Sequence, residues 1–207
     1  MPGRVIAKAR KWTSGRKTIV VLLAGVAISV VMLILATTTL VHTSSEAFCA
    51  TDCHEMNTTT NVEYKGTIHD KNRSGVRATC PDCHVPRAPV PLYVRKMGAV
   101  NDLWGHYITH SIDTKEKFEA KRQVLAERVW NYMKGNDSRE CRHCHTVTKM
   151  DSEKQSETAR LRHARAKKEK LSCIDCHFGI AHTVPVGGPG PQELEVEKSF
   201  ISKESVF

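Results

Sequence analysis

The sequence predicts a mostly α-helical protein: one N-terminal transmembrane helix, then a helix-and-loop domain organised around eight cysteines. Three observations predict it. Ile19 to Val41 is an uncharged run of 23 residues, enough for a helix to cross a hydrocarbon core of about 30 Å. Three Trp, four Tyr and five Phe in 207 residues are too few for a rich core of side chains alone. The cysteines fall in four pairs, each followed directly by histidine.

Arg4, Lys8, Arg10, Lys11, Arg16 and Lys17 precede the apolar run, and the first acidic residue is Glu46. The positive-inside rule keeps residues 1–18 cytoplasmic, makes 19–41 the span and sends the rest across the membrane. A cleaved signal peptide is the alternative. Its apolar core is normally about 7–15 residues with a small-residue cleavage site, and Ala47 with its neighbouring serines matches poorly. A retained anchor is expected, in a single-pass protein of a bacterial inner membrane. The exported part, about 165 residues, is one domain by length, over 42–185, with a tail at 186–207. The net charge of +9 suits a solvated face, an acidic redox partner or anionic headgroups; nucleic acid is excluded by export.

Cys80-Pro-Asp-Cys83-His84, Cys141-Arg-His-Cys144-His145 and Cys173-Ile-Asp-Cys176-His177 follow the C-x-x-C-H pattern of c-type heme attachment, and Cys49-Ala-Thr-Asp-Cys53-His54 carries one extra residue. Two thiols hold each heme and the following histidine can ligate its iron. Zinc also uses C-x-x-C pairs, but gives no reason for a histidine after every second cysteine. Four c-type hemes are therefore expected, filling the core that aromatic residues do not, with the apo-protein unfolded.

The motifs repeat. Cys49 and Cys80 are 31 residues apart and Cys141 and Cys173 are 32 apart. Each half, 46–100 and 137–185, reads motif, isolated histidine, then a motif with Asp before its last cysteine. The isolated histidines are His69 and His163, which the repetition nominates as sixth ligands in two di-heme halves. Between the halves, Asp113 to Asn136 has a 3.6-residue apolar spacing and a Gly135-Asn136 stop, a helical spacer. Ser152 to Lys170 is a second helical stretch, carrying His163. Val184 to Pro191 reads as loop.

With these residues assembled, the chain resembles the NapC/NirT/NrfH family of membrane-anchored tetraheme cytochromes over roughly 18–185. The likeness is carried by Glu46-Ala-Phe-Cys49, Cys53-His-Glu-Met56, Ser74 to Pro86, Ile112 to Phe118, Asp137 to His145 and Cys173 to His182. It implies a quinol dehydrogenase that passes electrons to a periplasmic reductase or cytochrome. Cys49 lies eight residues past Val41, so heme 1 is within about 28 Å of the membrane exit along the chain.

The resemblance also implies ligands. Met56 of Cys-His-x-Met is the axial ligand of heme 1, with His54 as the alternative; methionine raises a heme potential. The family has two residues between the first cysteines where this chain has three, which puts the geometry of heme 1 in question. His84, His145 and His177 are proximal ligands of hemes 2, 3 and 4, and His182 is the histidine that reaches back to heme 2. Some relatives have histidine at the position of Arg87, so that ligand is absent here. Lys96 and Asp102 occupy the region where similar proteins bind quinol and take its protons, a shielded carboxylate there being fit to act as base. His106 is open between ligand, proton acceptor and surface residue, and His110 is expected to be exposed. Two other readings stay open: electron flow in reverse, reducing quinone, and an anchoring relay for a multiheme reductase with no quinone site. Oligomeric state is open too.

Overall fold

The computed structural model describes residues 14–187 and 190, and within them every regular element is helical. The basic flank before Ser14 and most of the 186–207 tail lie outside the described residues. The chain forms two compact units, one ending at Thr43 and the other beginning at Ser44.

The first unit is α1, Ser14–His42. It runs past the expected 19–41 span at both ends and, at 29 residues, is about 43 Å long. Gly15–His42 is long and apolar enough to cross a membrane. The hydroxyls of Ser29, Thr37 and Thr38 cost little in such a setting because each bonds back into its own helix. Ser29 Oγ donates to the Gly25 carbonyl at 2.9 Å, Thr37 Oγ1 to that of Leu33 at 2.9 Å and Thr38 Oγ1 to that of Ile34 at 2.8 Å.

The second unit begins with one π turn, Phe48–Asp52, closed by Cys53 N–H to the Phe48 carbonyl at 3.2 Å. Two short helices follow, α2 (His54–Thr58) and α3 (Thr60–Tyr64). Motif 2 lies on α4 (Cys80–His84), ahead of the paired helices α5 (Pro89–Gly98) and α6 (Val100–Tyr107). Proline at Pro89 and Pro91 suits the first turn of α5, where a missing N–H costs nothing.

The expected spacer helix is divided at Lys121 into α7 (Lys115–Ala120) and α8 (Arg122–Gly135), and it ends at Gly135-Asn136 as expected. Motif 3 begins on α9 (Arg139–Arg142) and runs past its end. The 152–170 stretch resolves into a 3₁₀ turn, Ser152–Lys154, and α10 (Glu157–Glu169), capped by Ser156 Oγ accepting from Ala159 N–H at 3.2 Å. Motif 4 opens on a 3₁₀ turn, Cys173–Asp175.

Motifs 2 and 4 share one device, and it explains the repeated Asp. Asp82 Oδ2 accepts from Thr79 N–H at 2.9 Å and Thr79 Oγ1 at 2.6 Å. Asp175 Oδ2 accepts from Ser172 N–H at 2.7 Å and Ser172 Oγ at 2.8 Å. Each carboxylate closes a capping box over the turn that presents the cysteines.

The protein core is small. Among the described residues the buried large apolar side chains are Tyr64, Trp130, Met133 and Ile174. The last three pack with Cys83, Val129 and Phe178, so cysteines of motif 2 and residues of motif 4 meet on α8. Asp137 and Ser138, both with left-handed φ (57° and 52°), turn the chain from α8 into motif 3. Buried Ser138 Oγ accepts from Ile174 N–H at 3.0 Å, tying motif 3 to motif 4.

Candidate heme and quinol sites

Three histidine pairs stand opposite one another at one spacing. Ring centres are 6.1 Å apart for His69 and His145, 6.1 Å for His84 and His182, and 6.2 Å for His163 and His177. This is wider than a direct imidazole–imidazole hydrogen bond, which brings ring centres to about 5 Å. Two metal–nitrogen bonds of about 2 Å, each continued through an imidazole, put ring centres about 6 Å apart. The spacing therefore fits an iron between each pair.

The surroundings suit neutral imidazole, the form that ligates. Burial lowers the pKa of His84 to about 4, helped by His182 and Arg95. Burial likewise lowers His69, helped by His145, and lowers His182 against the opposing pull of Glu63. His69 and His182 each keep a buried Nδ1 with no hydrogen-bond partner in the protein. His163 Nδ1 is 2.8 Å from Gln155 Oε1, and donating there leaves Nε2 free for a metal. All eight cysteines are free thiols. With so small a side-chain core, these residues fit c-type hemes.

Local structure explains how each isolated histidine is carried. Buried Tyr64 donates its hydroxyl to the carbonyls of His69 (3.0 Å) and Ala78 (2.7 Å), pinning the loop between α3 and α4. His182 is brought 120 residues back along the chain: Thr183 N–H donates to Glu63 Oε2 at 3.0 Å. Two of the three pairs cross between the halves, so the repeat in sequence closes into interlocked ligation.

The first motif differs. His54 has no facing imidazole at 6 Å. Its ring meets His106 edge-on with centres 4.6 Å apart, and His54 Nε2 lies 3.2 Å from His106 Nδ1. Glu55 carries an ion pair to the same His106 nitrogen and stands 3.6 Å from His54 Nε2. His54, Glu55 and His106 thus form one cluster of three ligand-type groups, and Met56, half-buried on α2, is left apart from it. The sequence places Glu55 beside His54 but gives it no role; the fold does, by bringing His106 to it. His110 is exposed and paired with Asp113 at 3.1 Å.

Lys96 and Asp102 converge on this motif. Burial raises the Cys49 thiol, and the Lys96 ammonium opposes that rise. Burial raises Cys53, with Glu55, Asp52 and Asp102 adding to it. In return, desolvation lowers the Lys96 pKa. Desolvation raises that of Asp102, against Arg95 and Arg128 and with help from Glu55. A destabilised cation and a proton-hungry carboxylate thus border the first heme motif.

Residues 11–187 match the model of the NapC/NirT cytochrome c family, N-terminal region. The chain is 46% identical over 185 residues to the denitrification system component NirT of Stutzerimonas stutzeri, covering 89% of this chain and 91% of that one. It is 49% identical over 142 residues to the cytochrome c-type protein NapC of Escherichia coli K12, 69% of this chain and 70% of the relative. A putative tetraheme cytochrome-c type protein of Allochromatium vinosum is 48% identical over 143 residues, 69% and 76% of the two chains. No solved structure matches the chain significantly. The heme motifs, the facing histidines and these likenesses lead to one statement: the chain belongs to the NapC/NirT cytochrome c family, whose c-type hemes serve respiratory electron transfer.

Proposed function

We propose that this protein carries four c-type hemes and oxidises quinol, passing the electrons to a periplasmic reductase or cytochrome. The observation that carries the reading is the convergence of Lys96 and Asp102, each with a pKa perturbed by desolvation, on Cys49 and Cys53.

Cys49 and Cys53 would hold heme 1 with Met56 as axial ligand, since His54 is engaged by Glu55 and His106. The pairs His84–His182, His69–His145 and His163–His177 would ligate the other three. When bound, the hemes supply one-electron acceptors for the two electrons of a quinol. The side chains do the remaining work. The Lys96 ammonium donates to one quinol oxygen and orients it beside motif 1. The Asp102 carboxylate, with its raised proton affinity, takes a hydroxyl proton. The Glu55–His106 pair, whose carboxylate acts on Asp102, takes the second hydroxyl proton, so that two protons leave with the two electrons.

The test is heme reduction by a menaquinol analogue in purified full-length protein in nanodiscs, with no partner present. Reduction in the native protein and its loss in Asp102→Asn and Lys96→Ala, with heme absorbance retained, are expected. Unchanged reduction in both variants overturns the assignment. No quinol-driven reduction in the native protein would favour the anchoring relay.

A further inference from the structure

The helices that carry Lys96 and Asp102 have a second face. On α5, Val90, Tyr93, Val94 and Met97 recur at helical spacing, and each is more than half exposed, from 63% to 74%. The pattern continues on α6 with Val100, Leu103, Trp104 and Tyr107, exposed by 52% to 67%. Large apolar residues are normally hidden in a water-soluble domain, and a contiguous stripe of eight on paired helices is an interaction surface.

The cofactor side does not cover it. At 100° per residue, Lys96, Ala99 and Asp102 project roughly opposite the stripe, and Ala99 and Gly105 on that side are partly or fully buried. Gly105 is packed against Ile112 and Ser111, leaving no room for a Cβ without a shift. That side of α5 and α6 therefore faces motif 1 and the protein, and the stripe faces away from both.

We infer that the exposed α5–α6 stripe docks on the phospholipid headgroup region, a second membrane contact besides α1. Tyr93, Trp104 and Tyr107 mix an apolar ring with a polar edge, the chemistry enriched at membrane interfaces. Arg95 stands on the polar side of α5 and Arg87 just before the helix, the placement of basic residues in amphipathic helices that lie in an anionic interface. Tethering by one membrane helix holds the domain at high effective concentration beside the bilayer, so a modest apolar face suffices. The inference rests on α1 spanning a membrane and is independent of the quinol assignment.

The test uses the full-length holoprotein in phosphatidylcholine–phosphatidylglycerol nanodiscs containing a phospholipid with a diazirine in its acyl chain. After photolysis, adducts are mapped by peptide mass spectrometry. Labelling of 89–108 should exceed that of α10, whose Leu161 is equally exposed, by roughly fivefold or more, as burial in the interface requires. Val94→Glu with Leu103→Glu should abolish the excess and leave heme absorbance and α1 labelling unchanged. Adducts confined to α1, with 89–108 at the α10 level, overturn the inference, and this comparison needs only the native protein should the variant not mature. Copy-to-copy cross-links through 89–108 in place of lipid adducts assign the face to a second chain and overturn it equally.

Discussion

Glu63 and Arg122 meet through both carboxylate oxygens, Nη2 to Oε1 at 2.6 Å and Nη1 to Oε2 at 3.1 Å. The pair joins α3 to α8. It also holds the loop after motif 4, since Glu63 accepts from Thr183 N–H and Arg122 Nη1 donates to the Thr183 carbonyl at 3.3 Å. His182 is the next residue, its Nδ1 4.0 Å from Glu63 Oε2. Both side chains are largely shielded, and Arg122 keeps Glu119 as a second partner at 2.6 Å, so the loss of Glu63 acts mainly by freeing the loop at Thr183.

Glu63→Ala should destabilise the holoprotein by about 1.5–3 kcal/mol, the range for hydrogen bonds to charged groups. It should also release His182, so that one heme gains a high-spin ferric signal by electron paramagnetic resonance. Glu63→Gln should retain part of the ligation by keeping the bond from Thr183.

Replacing the isolated histidines one at a time should act on different irons. His69→Ala, His163→Ala and His182→Ala should each convert one low-spin heme to high spin, with the covalent heme content unchanged by pyridine hemochrome. His69→Met should instead keep a sixth ligand and raise one midpoint potential in a redox titration, as methionine does relative to histidine.

Asp82 supplies a stability term with a definite pH sign. Its pKa is lowered, first by the hydrogen bond from the Thr79 hydroxyl, against a partial desolvation cost. A carboxylate depressed in the folded state stabilises fully above the unfolded value of about 3.9 and ceases to do so as pH falls through the lower folded value. Asp82→Asn should cost about 1 kcal/mol at pH 7, the worth of a helix cap. Its loss should shrink below about pH 4, as read by denaturant titration of heme absorbance at several pH values.

Asp102 moves the other way. Desolvation raises its pKa, so quinol-driven heme reduction should rise with pH as the carboxylate deprotonates above the ordinary aspartate range of about 3.9. Asp102→Asn should remove that limb of the stopped-flow pH profile, whereas Asp82→Asn should leave it in place.

Much of this was legible beforehand because heme attachment is local chemistry. The cysteine pairs, the histidine after each pair and the long apolar run are contiguous in the chain. The placement of His69 and His163 in the repeat was also visible. What sequence could not reveal is how the halves engage. His145 faces His69, and His182 faces His84 as the family resemblance implies, because Tyr64, Glu63 and Ser138 pin loops across 5 to 120 residues, and no periodicity encodes such contacts. The break at Lys121 between α7 and α8 was hidden for a related reason: the apolar spacing continues through it. Glu55 was overlooked because its partner, His106, is distant in the chain.

The π turn at Phe48–Asp52 gives the extra residue of the first motif a meaning in evolutionary terms. An insertion within a regular helix would rotate everything beyond it by about 100°. A single i→i+5 turn instead absorbs the added residue where it arises, as such bulges commonly do at functional sites. The indel is thereby quarantined. A chain with one residue fewer between Cys49 and Cys53 can close an ordinary helical turn there and keep the segment carrying His54, Glu55 and Met56 in the same orientation.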